Sequence, residues 1–144
     1  MYRFLESRVA DYMTRAVVTV PPETPVRELE RLFSQHDFNS FPVVAAGALV
    51  GVATKFDLLK VFIFTPHTVV PHYEELSRRT AAEIMTRDVI TVTPETPLPR
   101  VLQTLVDARV KSFPVVEHGR LVGIIAREDI VRALRDAAET APAR

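Results

Sequence analysis

An α+β fold made of two copies of one strand–helix–strand–strand–helix unit is predicted by three observations. Met13-Thr14-Arg15 returns as Met85-Thr86-Arg87, and the same 72-residue offset holds without a gap along the chain. It relates Pro22-Glu23-Thr24-Pro25 to Pro94-Glu95-Thr96-Pro97, Ser40-Phe41-Pro42-Val43-Val44 to Ser112-Phe113-Pro114-Val115-Val116, Leu49-Val50-Gly51 to Leu121-Val122-Gly123, and Asp57 to Asp129. Within each copy, short β-branched runs bounded by Pro and Gly alternate with apolar residues at helical spacing. Finally, 144 residues suffice for one domain or two small units sharing a core. A unit this short does not bury its faces alone, so the two repeats are expected to pack as a pseudo-twofold intramolecular pair. The expected layout is residues 1–64 as the first repeat with an N-terminal extension and 65–80 as a linker. Residues 81–138 then form the second repeat and 139–144 a frayed tail.

In the first repeat, Val17 to Val20 reads as a strand that Pro21 and Pro22 end. Thr24 is placed to cap a helix with Pro25 at its first position. Val26, Leu29, Leu32 and Phe33 give that helix one apolar face, and it stops near His36-Asp37. Phe41 to Ala45 is a strand, and Gly47 turns it into Leu49 to Ala53. A second helix runs from Lys55 to about Phe64. The second repeat agrees, with a strand at Val89 to Val92 and a helix marked by Leu98, Val101, Leu102, Leu105 and Val106. A hairpin around His118-Gly119 and a last helix carrying Ile130, Leu134 and Ala137 follow. The prolines of residues 65–76 make that stretch a loop, while Val61-Phe62-Ile63-Phe64 is apolar on all sides, which fits either a cover over the shared core of the two repeats or a homodimer interface. Phe41 and Phe113 are expected in the core, and His36 and His118 at the surface.

Composition excludes several functions. Eighteen basic and eighteen acidic residues cancel, which argues against nucleic acid as the main partner. The absence of cysteine removes disulfide and thiol chemistry. No apolar run approaches a membrane span and the N-terminus has no apolar signal region, so the expected location is the cytoplasm. There is no Gly-x-Ser-x-Gly elbow, no phosphate loop and no His base beside paired acids, so no catalytic residue is assigned. His67 and His72 share a loop without an acid pattern, and no metal site is expected.

The chemistry concentrates at Gly51-Val52-Ala53-Thr54-Lys55-Phe56-Asp57, read as a strand end, a tight turn and a helix start. Small residues let a backbone approach, and Thr54 with Asp57 suits a helix cap worth about 1 kcal/mol. Such a helix start is also a natural seat for an anion. The pattern returns at Gly123 to Asp129, but Ala126 stands where Thr54 does. An acid kept at Asp129 without its capping partner points to another use or to complementarity with the helix dipole.

Taken together, the Met-Thr start, the Thr-Pro cap, Ser-Phe-Pro-Val-Val and Gly-x-x-Thr-x-x-Asp make each repeat resemble a CBS domain. Two in tandem resemble a Bateman module over nearly the whole chain. No remaining segment is long enough for an attached enzyme, channel or DNA-binding domain, so the resemblance is to a stand-alone pair. It implies a regulatory module that binds AMP, ADP, ATP or S-adenosylmethionine in clefts between the repeats, needs no cofactor, and signals to an effector protein. Asp57 and Asp129 would hold ribose hydroxyls and Thr54 a phosphate, with Lys55 and Arg127 within reach of phosphates. The resemblance assigns adenine contacts to Thr86, Ile90, Val110 and Lys111 for the Asp57 site. For the Asp129 site it assigns them to Thr14, Val18, Phe38 and Asn39. The Asp57 site is expected to bind more strongly because Ala126 lacks a hydroxyl. A purely structural dimerisation module and a small nucleotide enzyme are the other classes these features admit.

Overall fold

A computed structural model describes residues 2–63 and 73–139. The elements are α1 (Tyr2–Glu6), α2 (Val9–Tyr12), α3 (Val26–Gln35), β1 (Ser40–Ala45), β2 (Ala48–Thr54), α4 (Lys55–Val61) and α5 (Tyr73–Ser77). They continue with α6 (Ala81–Ile84), α7 (Leu98–Ala108), β3 (Ser112–Glu117), β4 (Arg120–Ala126) and α8 (Arg127–Glu139). The chain divides into two compact units that do not coincide with the two sequence copies. One comprises Met1–Val17 with Ile90–Arg144, the other Val18–Val89. Each copy's leading Met-Thr segment therefore belongs to the unit built on the other copy.

In the unit of residues 18–89, β1 and β2 form an antiparallel hairpin with Phe41 opposite Ala53 and Val43 opposite Gly51. Ala46 and Gly47 turn it at φ of 52° and 81°, the pair of positive angles whose twist matches flanking strands. Phe41, Val43 and Ala53 are fully buried with Val20, Leu29 and Ala81. In the other unit β3 and β4 repeat the register, Phe113 opposite Ile125 and Val115 opposite Gly123. Their core joins Leu98, Val101, Phe113, Val115, Ile125 and Ile130 to Phe4 and Val9 of the N-terminal segment. The expected core positions of both phenylalanines hold.

Several expectations are corrected. Val17–Val20 and Val89–Val92 are not strands; each supplies one parallel bridge, Val20 to Val43 and Val92 to Val115. The prolines explain this. Val20 N–H donates to the Pro42 carbonyl and Val44 N–H to the Val20 carbonyl. The next ladder bonds on either side would need N–H groups from Pro22 and Pro42, which have none. Pro94 and Pro114 truncate the second copy identically. Thr24 does not cap α3: its hydroxyl donates to the Pro21 carbonyl within a turn, and extended Pro25 is the cap residue. The helix expected to reach Phe64 ends at Val61 with Phe62 as its cap. Tyr73–Ser77, expected in a loop, is a helical turn. Phe64, His67, His72 and the tail from residue 140 lie outside the described residues. Among the described residues no helix is long and apolar enough to cross a membrane.

Candidate functional site

Each hairpin ends where its second strand enters a helix, and the glycine before that junction fixes what lies beside it. A Cβ on Gly51 would fall 2.6 Å from Met85 Sδ and 2.8 Å from the Thr86 carbonyl oxygen. Only a bare Cα lets Thr86 lie against the strand. There it exchanges two backbone hydrogen bonds with Val52, both 2.9 Å. The contact sets the Thr86 side chain over the first turn of α4.

Asp57 is 3% exposed, and burying a carboxylate requires partners. Its Oδ2 accepts the Thr54 N–H at 3.0 Å, while its own N–H donates to the Thr54 hydroxyl at 2.9 Å, completing a capping box. The Thr86 hydroxyl donates to both carboxylate oxygens, at 3.2 and 3.1 Å. Lys60 Nζ lies 3.2 Å from Oδ1, with its side chain half exposed. Lys55 is exposed at the helix start, its ammonium 6.0 Å from the Phe33 ring centroid.

The other unit repeats the frame with fewer donors. A Cβ on Gly123 would meet the Thr14 carbonyl oxygen at 2.7 Å, and Thr14 bridges Ile124 through backbone bonds of 2.8 and 2.9 Å. Asp129, 7% exposed, accepts the Ala126 N–H at 2.8 Å. Arg132 Nη1 lies 3.1 Å from its Oδ1. Arg132 is also tied to the Tyr12 carbonyl at 3.1 Å and sits 5.4 Å from the Tyr12 ring centroid. Among the described residues no hydroxyl reaches Asp129, so its carboxylate carries two donors where Asp57 carries three. An ionised carboxylate offers roughly four lone-pair positions, which leaves Asp129 room for a vicinal diol without displacing anything. At Asp57 an incoming diol has to displace a donor, and exposed Lys60 on its flexible stem is the one free to swing away.

Thr54, Asp57 and Thr86 are thus brought together in one unit, whereas the Lys55 ammonium lies over the Phe33 ring; in the other unit Thr14 lies along the strand beside Gly123, and the Arg127 side chain pairs with Glu128 rather than with Asp129. Val18, Phe38 and Asn39 belong to the unit of Asp57, whereas Ile90, Val110 and Lys111 belong to that of Asp129. Asn39 and Lys111 touch the helix starts of their own units, their carbonyls accepting the Lys55 and Arg127 N–H groups at 3.0 Å. Asp129 has a structural use at the helix start, performing half of a capping box on the Ala126 N–H. His36 is not exposed as expected; it is half-buried and stacks on Phe38 at 5.1 Å between ring centroids. Lys60 and Arg132 escaped the sequence reading although a base three residues after the acid recurs at the repeat offset. Among the described residues no group of three or more His, Asp or Glu is placed to hold a metal.

Comparison with known proteins matches the chain to the CBS domain model over residues 9–63 and 81–136. The uncharacterized protein MJ1225 of Methanocaldococcus jannaschii is 30% identical over 129 residues, 86% of this chain and 46% of that protein. Its crystal structure, described as a putative archaeal homolog of g-AMPK, superposes with a TM-score of 0.83 at 28% identity, covering 90% of this chain and 48% of the other. The chain spans less than half the length of this and other curated relatives it matches. The CBS domain pair of protein MJ0100, solved with 5′-methylthioadenosine and S-adenosyl-L-methionine, gives a TM-score of 0.73 at 28% identity over 91% of this chain and 98% of that one. CBSX2 of Arabidopsis thaliana, solved with AMP, gives 0.77 at 26% identity over 91% and 98% of the two chains.

Proposed function

The chain belongs to the CBS domain family, and on that premise we propose that it is a regulatory module sensing an adenosine-containing ligand: AMP, ADP, ATP or S-adenosylmethionine. The observation that carries the reading is the convergence of the Thr54 hydroxyl, the buried Asp57 carboxylate and the Thr86 hydroxyl in one unit, with exposed Lys55 next in the chain to Thr54. A carboxylate accepts two hydrogen bonds from a ribose diol, and a hydroxyl with an ammonium suits a phosphate. Arg127, Asp129 and Thr14 form the weaker counterpart. Neighbours solved with AMP and with S-adenosyl-L-methionine support the ligand class. The ligand acts by its differential affinity for two packings of the protein, read out by a homodimer partner or an effector in the cytoplasm, with no catalytic step. Thermal unfolding with a panel of adenine nucleotides tests this. A ligand at about 100 times its Kd adds roughly 2.7 kcal/mol, and a flat panel refutes ligand binding.

A second reading is favoured by two observations. All three donors on Asp57 come from the protein itself, and α4 exposes Phe56 and Leu59, with Ile63 just beyond it. An apolar stripe of this kind suits a dimerisation module without ligand. Sedimentation as a dimer together with a flat nucleotide panel selects that reading.

A further inference from the structure

We propose that Met85 is a site of reversible oxidation, and that its sulfoxide loosens the Thr86 segment from the β1–β2 hairpin. The oxidant is a hydroperoxide. The thioether sulfur attacks the outer peroxide oxygen, an S–O bond forms as the O–O bond breaks, and the sulfur gives up two electrons. With hydrogen peroxide the proton on the transferred oxygen passes to the leaving one, which departs as water. The chain offers few other sulfur targets: it has no cysteine, and its three methionines are Met1, Met13 and Met85. No ligand takes part in this switch.

Met85 is half-buried, so a small peroxide has access to a side chain that also packs against the core of Phe41 and Ala53. Its sulfur and the Thr86 carbonyl oxygen share the space that a side chain at Gly51 would fill, 2.6 and 2.8 Å from that Cβ position. The Val52 N–H, one residue along, is already given to the Thr86 carbonyl at 2.9 Å. Oxidation turns an apolar filler into a polar group. A sulfoxide oxygen set there competes for the Val52 donor or goes unpaired, and a buried polar group without a partner is costly. Turning outward to water relieves that cost but strips the core and the Thr86–Val52 bridge of their cover. Either way the bridge weakens.

Met13, at the same place in the other copy, is better fastened. A Cβ on Gly123 would meet its sulfur at 3.1 Å rather than 2.6 Å. Both copies tie the helical turn ahead of the methionine by matched backbone bonds. Ala81 and Ala82 donate to the Thr24 and Pro22 carbonyls, and Val9 and Ala10 to those of Thr96 and Pro94. The unit of Met13 adds ties to α8 through the residue just before it. Tyr12 donates its hydroxyl to Asp136 at 2.8 Å, and Arg132 donates to the Tyr12 carbonyl at 3.1 Å. Ile84 stands at the matching place before Met85 and has no side-chain donor. The Met85 segment is tied to α4 by the Thr86 hydroxyl on Asp57, at 3.1 Å. That is long for a hydroxyl on a carboxylate, and it belongs to the residue being loosened. Loss of the methionine's packing therefore frees Thr86 and leaves Thr14 held.

Hydrogen peroxide treatment of the full chain tests this, with peptide mass spectrometry to place each added oxygen and amide hydrogen exchange to read the two bridges. A sulfoxide is expected at Met85 in the folded protein. Exchange at the Val52 and Thr86 amides should quicken by about tenfold or more, and that at Ile124 and Thr14 should stay as it was. Methionine sulfoxide reductases should restore the slow exchange. Met85→Leu, close in volume and free of sulfur, should fold and keep slow exchange under peroxide. Met85→Gln, a mimic of the sulfoxide, should exchange fast without it. Met85 left unmodified in the folded chain overturns the proposal. So does a Met85 sulfoxide with unaltered exchange at Val52 and Thr86, an equal rise at all four amides, or a rise that persists in Met85→Leu.

Discussion

Replacing Gly51 by alanine should detach the Met85-Thr86 segment from its hairpin. The added Cβ would sit 2.6 Å from Met85 Sδ and 2.8 Å from the Thr86 carbonyl oxygen. The sulfur ends a flexible chain and can move aside. The carbonyl cannot move alone, because Thr86 is tied to Val52 by two backbone bonds of 2.9 Å. Overpacking of this kind costs about 1–3 kcal/mol, and each backbone bond lost adds about 1 kcal/mol. If both bonds are lost, a total of about 3–5 kcal/mol is expected, a fall in Tm of roughly 6–20 °C for a chain of this size. The assay is urea unfolding of the parent, Gly51→Ala, Met85→Ala and the double variant. Trimming Met85 should rescue only part of the loss, since the carbonyl contact remains. A Gly51→Ala protein within about 0.5 kcal/mol of the parent, the ordinary scatter of harmless surface changes, would refute the close approach. So would full rescue by Met85→Ala.

Other expectations follow from the same geometry. Ala126→Thr should supply the missing hydroxyl to the N-terminus of α8 and raise stability by about 1 kcal/mol, whereas Thr54→Ala should lower it by a similar amount, both read from urea midpoints. Asp57→Ala should destabilise more than Asp129→Ala, by about 1–3 kcal/mol in excess, because it leaves the Thr54 N–H and the Thr86 hydroxyl unpaired where the other change leaves only the Ala126 N–H, Lys60 and Arg132 being exposed to solvent. Ala46 holds a φ of 52° without being glycine or asparagine, so Ala46→Asn should raise Tm slightly, by roughly 1–2 °C for a gain near 0.5 kcal/mol. Burial first, then its hydrogen bond to Asp136, raises the Tyr12 hydroxyl above the ordinary 10.0. The folded state thus holds this proton more tightly than the unfolded chain does. Its contribution is complete below pH 10.0 and is lost as pH rises through the higher folded value, so Tyr12→Phe should flatten the alkaline fall in stability.

Both hairpins, the four longer helices and the buried phenylalanines were legible in the repeat, because local signals dictate them: glycine turns, period-3.6 apolar faces and Pro-Val-Val runs. Three features were less legible for physical reasons. The first strands shrank to single bridges because each ladder needs an N–H from two separate segments, and proline interrupts both. The placement of residues 1–17 and 81–89 in the unit of the opposite copy depends on contacts distant in sequence, anchored at Gly51 and Gly123. The third is the donor count on each acid. Thr54 and Asp57 announced a capping box, yet Thr86 arrives from 29 residues away, and Lys60 and Arg132 stand out only when the two copies are laid side by side. Ala126 marked the asymmetry in advance, because it has no hydroxyl to serve Asp129 as Thr54 serves Asp57.

The most direct measurement is a crystal structure of the chain grown with AMP. The account predicts the ribose hydroxyls on the Asp57 carboxylate, Lys60 swung away from it, and the phosphate against Thr54 and Lys55. Asp57 still closed by Thr86 and Lys60, with the nucleotide elsewhere or absent, would contradict it.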